Sequence, residues 1–130
     1  MEPAAGRVCW IDLAAADAPG AVDFYAGLFG WQEREHAVAG GRFMRLRLGD
    51  VDVGSLYQLS RAHLEQGVPS HWTPYVRVED LAGSTRRALD LGGRVVVDRF
   101  VVPGLANIAL IADPGGALLG LWQPDDRAGP

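Results

Sequence analysis

Apolar and polar positions along this chain form short alternating runs separated by glycine-rich turns, and two stretches shift to a helical spacing. Ala21, Phe24, Tyr25, Leu28 and Phe29 recur at i, i+3, i+4, i+7 and i+8, the mark of a helix with one apolar stripe. Asp17 stands before that stretch and Gly30 after it. A carboxylate there accepts from the free N–H groups of the first turn, and glycine takes the left-handed conformation that ends a helix. The same punctuation returns at Asp80, Gly83 and Gly93, which match Asp17, Gly20 and Gly30 at a constant offset of 63 residues.

A short strand opens each half, and three strands follow each helix. They are expected at Gln32–Val38, Arg42–Leu48 and Val53–Leu59, with turns "AGG" and "GDVD" between them, and at Arg94–Val101, Ala106–Ala112 and Ala117–Gln123. Each half is therefore βαβββ, and the fold class is α+β. Module 1 covers about residues 7–59 and module 2 about 71–124. The polar segment 60–70, with Gly67 and Pro69, links them, with room for one short helical turn. Residues 1–130 make one domain.

Alternation along a strand sends successive side chains to opposite faces. Cys9, Ile11 and Leu13 are assigned to the helix side of the first strand, with Val8, Trp10 and Asp12 opposite. Met44, Leu46 and Leu48 likewise oppose Phe43, Arg45 and Arg47. In the second module Pro74, Val76 and Val78 oppose His71, Thr73, Tyr75 and Arg77, and Leu119 and Leu121 oppose Leu118, Gly120 and Trp122. The face away from the helices thus mixes aromatic rings with arginines and an aspartate. A ligand cleft has that composition, and so has a subunit interface.

Composition narrows the partners. The chain is 48% apolar and 22% charged, the balance of a globular domain, with net charge −4 and no basic cluster to suit a nucleic acid. No apolar run reaches the roughly 18 residues that span a bilayer. The start "MEPAAGRVCW" lacks the pattern of a signal peptide, and the single Cys9 suits a reducing compartment, so a cytoplasmic location without membrane attachment is expected.

The duplicated βαβββ pattern, with "AVDFYAGLFGW" and "DPGGALLGLW", resembles the vicinal oxygen chelate superfamily, which holds glyoxalase I, bleomycin-resistance proteins, fosfomycin-resistance enzymes and extradiol dioxygenases. The resemblance covers about residues 7–124. It implies paired modules that curl into a half-barrel, helices on the convex side and the site on the concave face, often in a homodimer. It also implies metal ligands at matching points of both modules, and here those points are Trp10 and Thr73 on the opening strands, Gly120 on the last strand, and Gly54 or Ser55 in module 1. Divalent ions are held by imidazole, thiolate or carboxylate, so neither a metal nor another cofactor is expected.

The resulting expectation is a metal-free protein that holds an aromatic or apolar small molecule, in the manner of drug sequestration. Trp10, Phe43, Tyr75 and Trp122 would stack on the molecule, Asp12, Arg45 and Arg47 would orient it, and Thr73, Asn107 and Gly120 would line the cleft. Gly120, mid-strand and without a side chain, would leave room for it. The alternative is a metal-independent lyase, isomerase or cyclase that uses Asp12, His71 or Tyr75 for proton transfer. A metal-dependent enzyme with relocated ligands ranks below both. Asp12 is either a general base with a pKa raised by burial or the ion-pair partner of Arg45 or Arg47, the pair being favoured. The arginines have a further option in Glu33 or Glu35. His71 is weighed as a proton carrier against a solvent-exposed residue, and Cys9 is read as an inert thiol.

Overall fold

The computed structural model describes residues 4–38 and 41–125. Its elements run β1 (Val8–Ala15), α1 (Ala18–Phe29), β2 (Gln32–Val38), β3 (Gly41–Leu48), β4 (Val51–Gln58), α2 (Arg61–Glu65), β5 (His71–Arg77), α3 (Leu81–Asp90), β6 (Arg94–Val102), β7 (Ala106–Ala112) and β8 (Leu118–Pro124). This is the expected α+β chain of two βαβββ modules, with α2 as the short turn of helix in the linker. The "AGG" turn falls partly outside the described residues. The chain forms two compact units whose boundaries cut β1 and β5: one spans Ile11–Thr73, and the other joins the N-terminal residues through Trp10 to the chain from Pro74 onward.

In the Ile11–Thr73 unit the strand order is β2-β3-β4-β1, antiparallel except for the parallel β1–β4 pair. A parallel neighbour needs a crossover, and here α1, β2 and β3 intervene. Asp17 accepts from the Gly20 N–H at 3.1 Å, and Gly30 closes α1 at φ 79°. Leu13, Ala15, Leu46 and Leu56 form the core, with Ala21, Val22, Tyr25, Met44 and Trp72 packed on it. Leu46 and Leu56 are almost wholly buried, where truncation to alanine typically costs about 2–5 kcal/mol.

Two assignments in this unit need correction. The apolar stripe of α1 is only partly covered: Phe24, Leu28 and Phe29 are exposed. The face against the sheet is Ala18, Ala21, Val22 and Tyr25, itself an i, i+3, i+4, i+7 set. Leu48 is also exposed, because the β3–β4 register shifts between Leu46 and Arg47 and the bulge turns the strand end away from the core.

The second unit repeats the plan, with order β5-β8-β7-β6 and a parallel β5–β8 pair. Asp80 accepts from the Gly83 N–H at 3.0 Å. Leu81, Ala109 and Leu121 form the core under α3. A glutamine in each unit joins the last strand to the start of the helix. The Gln58 Oε1 accepts from the Ala18 N–H at 2.8 Å, and the Gln123 Oε1 accepts from the Leu81 N–H at 2.7 Å. Each satisfies a helix N–H that has no partner within the helix.

Candidate functional site

The strongest chemistry lies in the Ile11–Thr73 unit. Parallel pairing sets Asp12 on β1 beside Ser55 on β4, and the Ser55 hydroxyl donates to the Asp12 Oδ1 at 2.6 Å. Asp12 is only 7% exposed. Burial raises its pKa from the ordinary 3.8 to about 6, against the opposing effects of the Ser55 hydrogen bond and the His71 charge. At pH 7 the group is mostly ionised yet ready to take a proton. Tyr57, two residues beyond Ser55 and half-buried, has its phenol pKa pushed up by burial first and by the Asp12 charge second. The His71 Nδ1 lies 2.9 Å from the Pro69 carbonyl. A carbonyl only accepts, so the proton of a neutral imidazole belongs on Nδ1 and the basic lone pair on Nε2.

These contacts correct one assignment and settle another. Arg45 and Arg47 both bind the Asp52 carboxylate, each with a contact at 3.2 Å. Asp12 is therefore not their ion-pair partner. The two arginines act on each other's setting within the β3–β4 hairpin, and Arg47 also donates to the Asp50 carbonyl at 2.8 Å. His71 is partly covered and close enough to bias Asp12 electrostatically, not a fully exposed side chain. Phe43 is half-buried on β3. Thr73 is buried at the end of the same unit.

In the second unit the aromatic residues pack on one another. The rings of Trp10 and Trp122 stack with centroids 4.5 Å apart, and Tyr75 meets Trp122 edge-on at 6.0 Å. All three are under a tenth exposed. Tyr75 pairs with Gly120 across β5 and β8, the place that Asp12 and Ser55 hold in the other unit. A Cβ on Gly120 would stand far inside contact distance of the Cδ2 of the Tyr75 ring. The room at Gly120 is thus taken by Tyr75, not left open for a ligand as the sequence suggested. A glycine lets a neighbouring group come close to the backbone, and here that group is an aromatic ring.

Asn107 also needs relocation. It shares a strand face with Ala109 and Ile111, which pack under α3, so it lies on the helix side and not among the rings. Cys9 is half-buried, and burial pushes its pKa to about 11, as befits an unreactive thiol.

Sequence reasoning passed over Tyr57 and the glutamines Gln58 and Gln123. Tyr57 was within reach: Ser55 and Tyr57 alternate on one face of β4, and parallel pairing carries that face next to Asp12. The glutamine contacts depend on the crossover geometry and leave no local pattern.

The residues at the metal positions of the superfamily do not fit a divalent ion. Trp10 and Gly120 offer no ligating side chain, and Thr73 and Ser55 offer neutral hydroxyls, with the Ser55 proton already directed at Asp12. Gly120 also lies under the Tyr75 ring. Among the described residues no three or more His, Cys, Asp or Glu side chains group to hold a metal. No helix there is long and apolar enough to cross a membrane.

Comparison with known proteins gives a consistent picture. A family described as "Glyoxalase-like domain" matches residues 9–121. The glyoxylase-named protein CFP32 of Mycobacterium bovis is 30% identical over 126 residues, covering 95% of this chain and 48% of the relative. The anthracycline biosynthesis protein DnrV of Streptomyces peucetius is 30% identical over 131 residues, covering 92% and 48%. The chain thus spans about half the length of these curated relatives. Among solved structures, methylmalonyl-CoA epimerase from Mycobacterium tuberculosis superposes with a TM-score of 0.71 at 21% identity, over 98% of this chain and 95% of that one. The Streptomyces coelicolor methylmalonyl-CoA epimerase with bound 2-nitronate-propionyl-CoA gives 0.66 at 19%, over 93% and 96%. At these identities the likeness establishes the fold.

Proposed function

The chain belongs to the glyoxalase-like domain family, and from that premise we propose that it binds a small organic molecule without a divalent metal and that Asp12 is the group that takes a proton from it. One observation carries this reading: a carboxylate 7% exposed, accepting from the Ser55 hydroxyl, with a pKa raised to about 6. Such a group is costly to keep charged, and perturbed carboxylates of this kind gather at functional sites. As general base, the ionised Asp12 accepts a proton from an acidic C–H or O–H of the bound molecule. Ser55 holds the carboxylate in position, and the Tyr57 phenol, kept protonated by its surroundings, is a hydrogen-bond donor. The charge of His71 acts on the Asp12 carboxylate from the same unit. The reaction class is a metal-independent isomerisation, lyase step or cyclisation.

Retention of an aromatic or apolar compound without transformation, as in drug sequestration, is the second reading. The anthracycline biosynthesis relatives keep polycyclic aromatic molecules in view as its ligand class. Solvent deuterium uptake separates the two. A panel of aromatic and carbonyl compounds is screened for binding by tryptophan fluorescence, and bound compounds are followed by NMR in heavy water. Proton transfer predicts exchange with the wild-type protein and none with Asp12→Asn, which still binds. Tight binding without exchange in either protein would leave sequestration as the function. A homodimer is part of the proposal, supported by the exposed Phe24, Leu28 and Phe29 on α1. A strictly monomeric species in light scattering at micromolar concentration would count against it.

A further inference from the structure

The second unit contains a cavity of about 690 Å³ on its helix side, between α3, β6, β7 and the end of β8. Asn107 lines it, 8% exposed. Its Oδ1 accepts a long hydrogen bond from the Arg99 Nη2 at 3.5 Å, and no protein acceptor meets its amide N–H groups among the described residues. Arg86 of α3 and Arg99 of β6 both line the cavity, and among the described residues neither forms an ion pair. Arg86 comes from α3, and the position of Arg99 follows from the irregular course of β6. Its register against β7 shifts between Val95 and Val97 and again between Val97 and Phe100. Bulges of this kind redirect side chains beside binding sites. Leu81, Leu89 and Val95 supply an apolar wall.

We propose that this cavity is a second binding site, separate from Asp12 and its neighbours, for a small carboxylate that carries an apolar group. The fork of a guanidinium matches a carboxylate with two parallel hydrogen bonds. Arg99 and Arg86 would hold the anion, an Asn107 N–H would donate to it, and the apolar portion would lie against Leu81, Leu89 and Val95. Asp80 and Asp98 also line the cavity beside the two arginines, and they disfavour a multiply charged anion such as a phosphate.

The test uses benzoate, with benzyl alcohol as the neutral match and inorganic phosphate as the multiply charged one. Binding is followed by amide and side-chain shifts in nitrogen-15 NMR spectra. Benzoate should give saturable shifts at α3, at β6 and at the Asn107 side-chain amide, with little response to benzyl alcohol or phosphate. Arg99 and Arg86 are exposed, so Arg99→Gln and Arg86→Gln leave the fold intact. Each should weaken benzoate roughly tenfold, the usual loss of a charge-assisted hydrogen bond. Asp12→Asn should leave benzoate binding unchanged, whatever it does to the reaction proposed above. Equal binding of benzyl alcohol, shifts confined to the region of Asp12, insensitivity to both arginine variants or no saturable binding would each overturn the proposal.

Discussion

Replacing Asp12 by asparagine should stabilise the protein above neutral pH and do nothing for it in acid. The amide keeps an oxygen to accept from the Ser55 hydroxyl, so the hydrogen bond seen at 2.6 Å survives. The charge is lost, and with it the cost of burying a carboxylate that is 7% exposed. The pKa is about 6 in the folded protein, against 3.8 for an ordinary aspartate. Between those values the folded state holds more protons than the unfolded one. Raising the pH therefore favours unfolding: stability present below pH ~4 is lost as the pH climbs through ~6, and the loss levels off above. A shift of about two pH units is worth at most about 3 kcal/mol. Urea unfolding of both proteins from pH 4 to pH 8.5 reads the difference directly, since every other titrating group cancels between them. Asp12→Asn should be the more stable by about 1–3 kcal/mol at pH 8, with the gap closing toward pH 4. A gap that does not change with pH, or a variant less stable at pH 8 than at pH 4 relative to wild type, would refute the account of Asp12.

Gly120→Ala should destabilise by about 1–3 kcal/mol through overpacking against the Tyr75 ring, and much less in a Tyr75→Ala background, a coupling that a double-mutant cycle in urea measures. Treatment with EDTA, or addition of zinc, nickel or manganese, should leave the thermal midpoint unchanged, because Trp10, Thr73, Ser55 and Gly120 provide no coordination sphere; a midpoint raised by one equivalent of metal in calorimetry would contradict this.

The two-module plan was legible because caps and periodicity are local. Asp17 and Asp80 accept from Gly20 and Gly83 as their spacing suggests, and the strands Gln32–Val38 and Ala106–Ala112 coincide with their sequence assignments. Alternation also separated Leu13 and Leu46 from Asp12 and Arg45 correctly. It failed at Leu48, where a bulge breaks the period, and for Asn107, where no face was fixed in advance. Side-chain partners were less accessible. Asp52 lies seven residues from Arg45, yet it pairs with that arginine because the bulged hairpin brings it across. Gly120 was recognised as an unusual residue, but its neighbour was not: only the parallel β5–β8 register sets Tyr75 against it. The raised pKa of Asp12 needed the depth of burial, which alternation gives as a direction without an amount.

The carboxyl titration of Asp12, followed by carbon-13 NMR in the wild-type protein with Asp12→Asn to assign the resonance, tests the central claim most directly. A midpoint near pH 6 is the expected result. A midpoint at or below 3.8, the ordinary value for an aspartate, would mean that Asp12 is held as a structural anion, and it would remove the basis for proton transfer at this site.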